Sequence, residues 1–219
     1  MIKAVFFDFN GTLYVDHEIN RSMWHIMIDE ISDKTIDFDS YYKKHVGVMD
    51  YYMVEDAFKL VNKPYTKEDI EYYSNKKEEM YRQYGIDNKL TVLPLGAKDV
   101  LDYLKQNNIP VILCTSSIKE NVEFYFKYFN LDNWFNFNQT IYDTGEYADK
   151  KEMYEECARR LNVDPKQALV FEDSPKSIRE AIASGVDKVV ALNTKDEMDY
   201  PEIKQRIKDF TELDYSIFK

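Results

Sequence analysis

The sequence predicts an α/β fold, a doubly wound parallel sheet whose chain is interrupted after the first strand by an all-helical block. Three observations carry this. The apolar runs Ala4-Val5-Phe6-Phe7, Pro110-Val111-Ile112-Leu113 and Ala168-Leu169-Val170-Phe171 lack the polar alternation of a half-exposed strand, so they read as strands buried on both faces. From Leu93 onward such runs alternate with helical patterns, the rhythm of a parallel sheet covered by helices. Between Thr12 and about Val111 no strand pattern occurs.

The first strand runs straight into Asp8. An unpaired buried charge is costly, so a carboxylate there needs a reason. At the carboxyl end of a central strand it has one, because open α/β sheets bind ligands in the crevice at that edge. Gly11 permits a tight turn and Thr12 adds a hydroxyl. Taken alone, Asp8-Phe9-Asn10-Gly11-Thr12 is also compatible with a capped turn that does no chemistry. Helical periodicity follows, with Met23, Ile26, Met27, Ile28 and Ile31 as one apolar stripe. Further helices are expected near 38–46, 50–61 and 66–84, the last opened by a capping box in Thr66-Lys67-Glu68-Asp69.

The sheet resumes after Leu93-Pro94-Leu95-Gly96. A helix over 97–106 buries Val100, Leu101 and Leu104, and the second strand ends in Cys114-Thr115-Ser116-Ser117. A helix near 119–128, a short strand near 139–142 and a helix over 151–161 lead to the third strand, which ends on Glu172-Asp173-Ser174. The helix over 176–184 stops at Gly185, and a fourth strand over 188–192 leads to an acidic, amphipathic tail.

Composition narrows the function. The 219 residues fit one large domain or a core with an insertion, and 44% hydrophobic residues suffice for a packed core. A net charge of −11 argues against a nucleic-acid surface, which needs clustered Lys and Arg. Cys114 and Cys157 have no ligand spacing and read as buried thiols of a reducing compartment. No stretch has the 18 apolar residues of a membrane span and no signal peptide is read, so the expectation is a cytoplasmic protein with no membrane and no nucleic-acid partner, monomeric or weakly dimeric.

Three polar strand ends then share one sheet edge: Asp8, Thr115 and Glu172-Asp173. Carboxylates such as Asp8 and Asp173 suit Mg2+, which would let an acidic protein meet a phosphorylated metabolite. Thr115 can hydrogen-bond a phosphoryl oxygen. Asp149-Lys150-Lys151 offers a fixed positive charge that would hold Asp8 ionised as a nucleophile forming an aspartyl-phosphate. A lysine opening an exposed helix is equally often only solvated.

In order along nearly the whole chain, these segments resemble the haloacid dehalogenase-like hydrolases, in particular the branch of β-phosphoglucomutase and sugar-phosphate phosphatases. The residues that carry it are Phe7-Asp8-Phe9-Asn10-Gly11-Thr12-Leu13, Leu113-Cys114-Thr115-Ser116-Ser117, Lys150, and Val170-Phe171-Glu172-Asp173-Ser174-Pro175 with Ala181 and Gly185. The resemblance implies a Rossmann-like core over 1–15 and 89–219 with an inserted α-helical cap over 16–88. It also implies a phosphoric monoester hydrolase using Mg2+ on a small phosphorylated metabolite. Asp8 would be the nucleophile, Thr115 with Ser116 the phosphate binder, Lys150 rather than Lys151 the stabilising lysine, and Asp173 a metal ligand. Glu172 would act on the metal through a residue that touches it or through water, and position 10 would bind it through its backbone carbonyl. Gly47 in His45-Val46-Gly47 and Lys77 in the helix of Lys76-Lys77 echo substrate contacts of the cap, and a solvated face explains the lysines equally well. The usual Gly-Lys-Pro lead-in to the lysine is absent.

One departure matters most. The family's phosphatases and phosphomutases carry a second aspartate two residues after the nucleophile, as general acid and base. Here that residue is Asn10, a neutral amide. The expectation is therefore a phosphatase weakened, or restricted to good leaving groups. Its rival is an impaired phospho-ligand-binding or regulatory protein. A third explanation is an altered residue, Asn-Gly being prone to deamidation. A phosphomutase fits less well, and so does a metal-independent dehalogenase, because Glu172-Asp173 is kept.

Overall fold

The computed structural model describes residues 1–45, 50–194 and 199–219. The chain divides into two compact units, Met1–Val15 with Thr91–Lys219, and Asp16–Leu90.

The first unit is a parallel sheet of five strands, β1 (Ala4–Phe7), β2 (Val111–Leu113), β3 (Ala168–Glu172), β4 (Val189–Leu192) and β5 (Ile203–Ile207), in the order β2-β1-β3-β4-β5. Its central strand is β1, flanked by β2 and β3. Every residue of β1 and β3 is buried, as their unbroken apolar runs require. Successive side chains point to opposite faces, and both faces are filled. Phe6 stacks on Tyr154 at 6.4 Å, whereas Phe7 lies flat on Phe171 at 4.7 Å with Phe210 beyond it. Each such buried ring stabilises the fold by about 1.5–3 kcal/mol. The register Phe7↔Leu113 and Phe7↔Phe171 brings the three strand ends level, so Asp8, Cys114 and Glu172 emerge side by side.

The second unit holds the helices α1 (His17–Ser32), α2 (Phe38–His45), α3 (Asp50–Leu60) and α4 (Lys67–Asp87). Its own core gathers Trp24, Met27, Ile28, Ile31, Phe38 and Phe58. Thr66 caps α4 in a capping box with Asp69. Ile26, read as part of the α1 stripe, is instead 44% exposed, and Trp24 takes the buried place.

The remaining helices are α5 (Ala97–Gln106), α6 (Lys119–Phe129), α7 (Lys150–Leu161) and α8 (Pro175–Ala183), with the strand β4 (Val189–Leu192) after α8. Two expectations from the sequence need correction. The short strand near 139–142 is a single bridge, Cys114↔Ile141, because the Asn136 side chain closes a 3-10 turn over Phe137–Gln139 and leaves one residue extended. The amphipathic tail contains a fifth strand, β5 (Ile203–Ile207), parallel to β4. As an edge strand it alternates half-buried Ile203 and Gln205 with exposed Lys204 and Arg206, so it lacks the apolar run of the inner strands.

Candidate active site

The loop after β1 is wound tightly around one carbonyl. Phe9 O accepts from the backbone N–H groups of Thr12, Leu13 and Tyr14, while Gly11 N–H donates to Tyr14 O at 2.7 Å. Gly11 has φ +80°, which glycine adopts without strain, and it lies directly under Asp173. A Cβ at Gly11 would stand 2.1 Å from Asp173 Oδ2. Gly11→Ala should therefore displace the Asp173 carboxylate and strain the turn by about 1–2 kcal/mol. The check is thermal unfolding with and without Mg2+. The parent should gain stability with Mg2+ and the variant should not; an equal gain in both would rule out Asp173 as a ligand.

Helix α7 supplies the positive charge. Asp149 caps it by accepting Glu152 N–H, which sets the helix phase so that Lys150, Met153, Tyr154, Cys157 and Ala158 share the buried face. Lys150 Nζ donates to Asp8 Oδ1 and to Glu172 Oε1, each at 2.5 Å, with all three groups buried. Lys151 points away and pairs with Glu155 at 2.8 Å on the exposed side.

Glu172 is fully occupied. Its Oε1 accepts from Lys150 and from Tyr154 OH at 2.9 Å, and its Oε2 accepts from the backbone N–H groups of Asp173 and Ser174 at 2.9 and 3.0 Å. A carboxylate offers about four acceptor positions, so Glu172 acts on its surroundings by orienting Lys150.

Electrostatically the cluster is short of positive charge. Burial first, then the neighbouring Glu172 and Asp173 charges, push the Asp8 carboxyl well above the usual range, and Lys150 pulls it only part of the way back. Burial opposes the charge on Lys150, but Asp8 and Glu172 outweigh it and raise its ammonium above the ordinary lysine range. Asp8, Glu172 and Asp173 bring one ligand atom each within 4.8 Å of one another. Three carboxylates against one ammonium leave two negative charges, which a divalent cation would balance. Oxygen donors of this kind suit a hard cation such as Mg2+, so the residues present fit one.

Thr115 completes this edge. Its N–H donates to Ile141 O at 2.9 Å, and its Oγ1 accepts Ser117 N–H at 3.2 Å and reaches Asn10 Oδ1 at 3.3 Å. Ser116 beside it is exposed. Asn10 also bonds Ser117 and Tyr125.

The structure thus brings together Asp8, Asn10, Thr115, Lys150, Glu172 and Asp173. Lys77 belongs to the helical unit, where its buried ammonium bonds Glu78 at 2.7 Å and Asp50 at 3.2 Å and lies 5.0 Å from the Trp24 ring. Gly47 lies outside the described residues. Tyr154 and Tyr125 have no place in the sequence reading, and Ser117 enters it only as the end of the segment Leu113-Cys114-Thr115-Ser116-Ser117, with no role of its own. Only Tyr154 had a local signal there, sitting one helical turn beyond Lys150 on the same stripe.

The model of the haloacid dehalogenase-like hydrolase family matches residues 2–185. The chain belongs to this family. Within the haloacid dehalogenase-like hydrolases, it is 26% identical to a family IA, variant 3 hydrolase from Entamoeba histolytica, with a TM-score of 0.87 over 99% of this chain and 97% of that one. It shares the fold of a β-phosphoglucomutase from Clostridium difficile at 18% identity, with a TM-score of 0.74 over 99% of this chain and 95% of that one. It is 30% identical over 118 residues to validoxylamine A 7'-phosphate phosphatase from Streptomyces hygroscopicus subsp. limoneus. That match covers 54% of this chain and 55% of the relative, so the chain spans about half the length of the curated relative. Among the described residues no helix is long and apolar enough to cross a membrane.

Proposed function

We propose that this hydrolase is a Mg2+-dependent phosphatase of a small phosphorylated metabolite, working through an aspartyl-phosphate on Asp8. The observation that carries the reading is the buried ammonium of Lys150 held between Asp8 and Glu172, with Asp173 alongside. An Asp8 oxygen attacks phosphorus as the bond to the leaving oxygen breaks, and water then attacks the phosphoryl group, releasing inorganic phosphate and restoring the carboxylate. Asp8, Asp173 and the backbone carbonyl of Asn10 would hold Mg2+, which when bound neutralises phosphoryl oxygens. Thr115 donates to a phosphoryl oxygen, and Lys150 keeps Asp8 ionised and oriented. Asp16–Leu90 is read as the cap unit of the family, inserted in sequence after the first motif.

Asn10 limits the chemistry. Its amide neither gives nor takes a proton near neutral pH, so the leaving oxygen must depart unaided. Aryl, acyl or anhydride-like phosphates meet that condition and alkyl phosphates do not. A phosphomutase would need repeated proton transfer to sugar hydroxyls and is disfavoured on the same ground. The second reading, a phospho-ligand-binding protein with little turnover, is favoured by the hydrogen bonds that already occupy the Asn10 side chain.

Steady-state hydrolysis of an aryl phosphate and of a sugar phosphate, each with Mg2+ and with a chelator, separates the two. The phosphatase reading expects Mg2+-dependent turnover of the aryl ester and much slower turnover of the sugar ester. No turnover across a broad panel, together with measurable binding of a phosphorylated ligand, would favour the binding protein.

A further inference from the structure

We infer that Ser117 and Tyr125 are positioning residues that hold Asn10 in a closed hydrogen-bond ring, leaving the Thr115 hydroxyl able to turn onto a phosphoryl oxygen. The inference takes from the phosphatase reading only the identity of the ligand at Thr115.

The ring has one consistent direction. Asn10 Nδ2 donates to Tyr125 OH at 3.0 Å, and Ser117 Oγ donates to Asn10 Oδ1 at 2.8 Å. The Tyr125 oxygen and Ser117 Oγ are 3.0 Å apart. Because the Ser117 proton is committed to Asn10, Tyr125 is the donor in that third contact, and the ring closes. The contact from Thr115 Oγ1 to Asn10 Oδ1 is longer, at 3.3 Å. A carbonyl oxygen has two lone pairs, and Ser117 fills the first with the shorter bond. Thr115 is oriented independently of Asn10, through the Ser117 backbone N–H donating to its Oγ1. Its own proton is therefore the weakest-held donor of the group and the one a phosphate can take over at least cost.

Packing makes the ring rigid. Tyr125 is fully buried, stacked on Phe9 at 4.0 Å and edge-on to Tyr14 and Phe129. Its hydroxyl is thereby fixed next to a side chain 115 residues away in sequence. Without Ser117, Asn10 Oδ1 would draw on Thr115 and Tyr125, both 3.3 Å away, as replacement donors, and phosphate would have to break the Thr115 bond in order to bind. One competing hydrogen bond of ordinary strength corresponds to about a three- to tenfold loss of affinity.

The test is calorimetric binding of inorganic phosphate, in the presence of Mg2+, to the unmodified chain, to Ser117→Ala, and to Asn10→Ala combined with Ser117→Ala. Ser117→Ala should weaken binding about three- to tenfold. The double variant should regain most of the loss, because no amide remains to capture Thr115. Tyr125→Phe, which keeps the ring stacking, should shift the side-chain amide resonances of Asn10. A loss in Ser117→Ala that the double variant does not recover would mean that Ser117 touches the phosphate itself, and an unchanged affinity would mean that it does nothing for Thr115. Either overturns the inference and leaves the phosphatase reading standing, as would Asn10 resonances unmoved by Tyr125→Phe. Failure of the unmodified chain to bind phosphate would overturn both.

Discussion

Asn10→Asp should raise kcat on a sugar phosphate by about 10²–10⁴-fold, the usual contribution of a positioned general acid or base. The gain on an aryl phosphate should be far smaller, because its leaving oxygen departs without a proton. The pocket around position 10 is already suited to a carboxylate: the hydroxyls of Ser117, Thr115 and Tyr125 lie 2.8, 3.3 and 3.3 Å from Oδ1. Each can donate to a carboxylate oxygen in place of the amide, so the variant should fold as the parent does. The change should fall on kcat rather than KM, since proton transfer is made only in the transition state. Asp8→Asn removes the proposed nucleophile and should abolish turnover in either background. Equal gains on both esters would show that position 10 acts by something other than proton transfer. If Asp8→Asn left the rate unchanged, the nucleophile would have to lie elsewhere.

The sheet was legible because its inner strands are buried on both faces, and such strands announce themselves as unbroken apolar runs. Where each run stops on Asp8, Thr115 or Glu172, the polar residue marks the sheet edge. β5 was not legible for the converse reason: half-covered, it alternates, and Ile203-Lys204-Gln205-Arg206-Ile207 is also what an amphipathic tail looks like. The lysine was half legible. Periodicity places position 150, three and four residues before Met153 and Tyr154, on their buried stripe, but which of two adjacent lysines opens the helix depends on Asp149 acting as the cap. The ring around Asn10 could not be read at all. Its members lie on a loop, a strand end and a helix more than a hundred residues from Asn10, and no local pattern encodes a contact of that range. The missing carboxylate was therefore visible in the sequence, whereas the hydrogen bonds that occupy its place were not.

Lys150→Met should be the most damaging single change to stability. It keeps much of the side-chain volume but leaves Asp8 and Glu172 buried without their shared ammonium. Breaking a buried ion pair by removing one partner costs about 3–5 kcal/mol, a large part of the stability of an ordinary domain. The loss should also depend on pH. In metal-free buffer the Asp8 carboxyl is already raised above its usual range by burial and by the neighbouring carboxylates, and Lys150 is what lowers it. Removing the lysine raises it further. A carboxyl whose folded pKa lies above its unfolded one favours the fold at low pH, and that contribution is lost as pH rises through the folded value. The variant should thus approach the parent in urea unfolding under mildly acidic conditions and fall away from it toward pH 8. Turnover should drop by about 10²–10³-fold or more, as when a charge-stabilising donor is removed from an active site. Lys151→Met is the matched control. Its exposed pair with Glu155 is a single solvent-screened helix-surface contact, and its loss should leave stability and activity nearly unchanged. If the two variants behaved alike, or if Lys151→Met were the more damaging, the ammonium between Asp8 and Glu172 would not be what the site depends on.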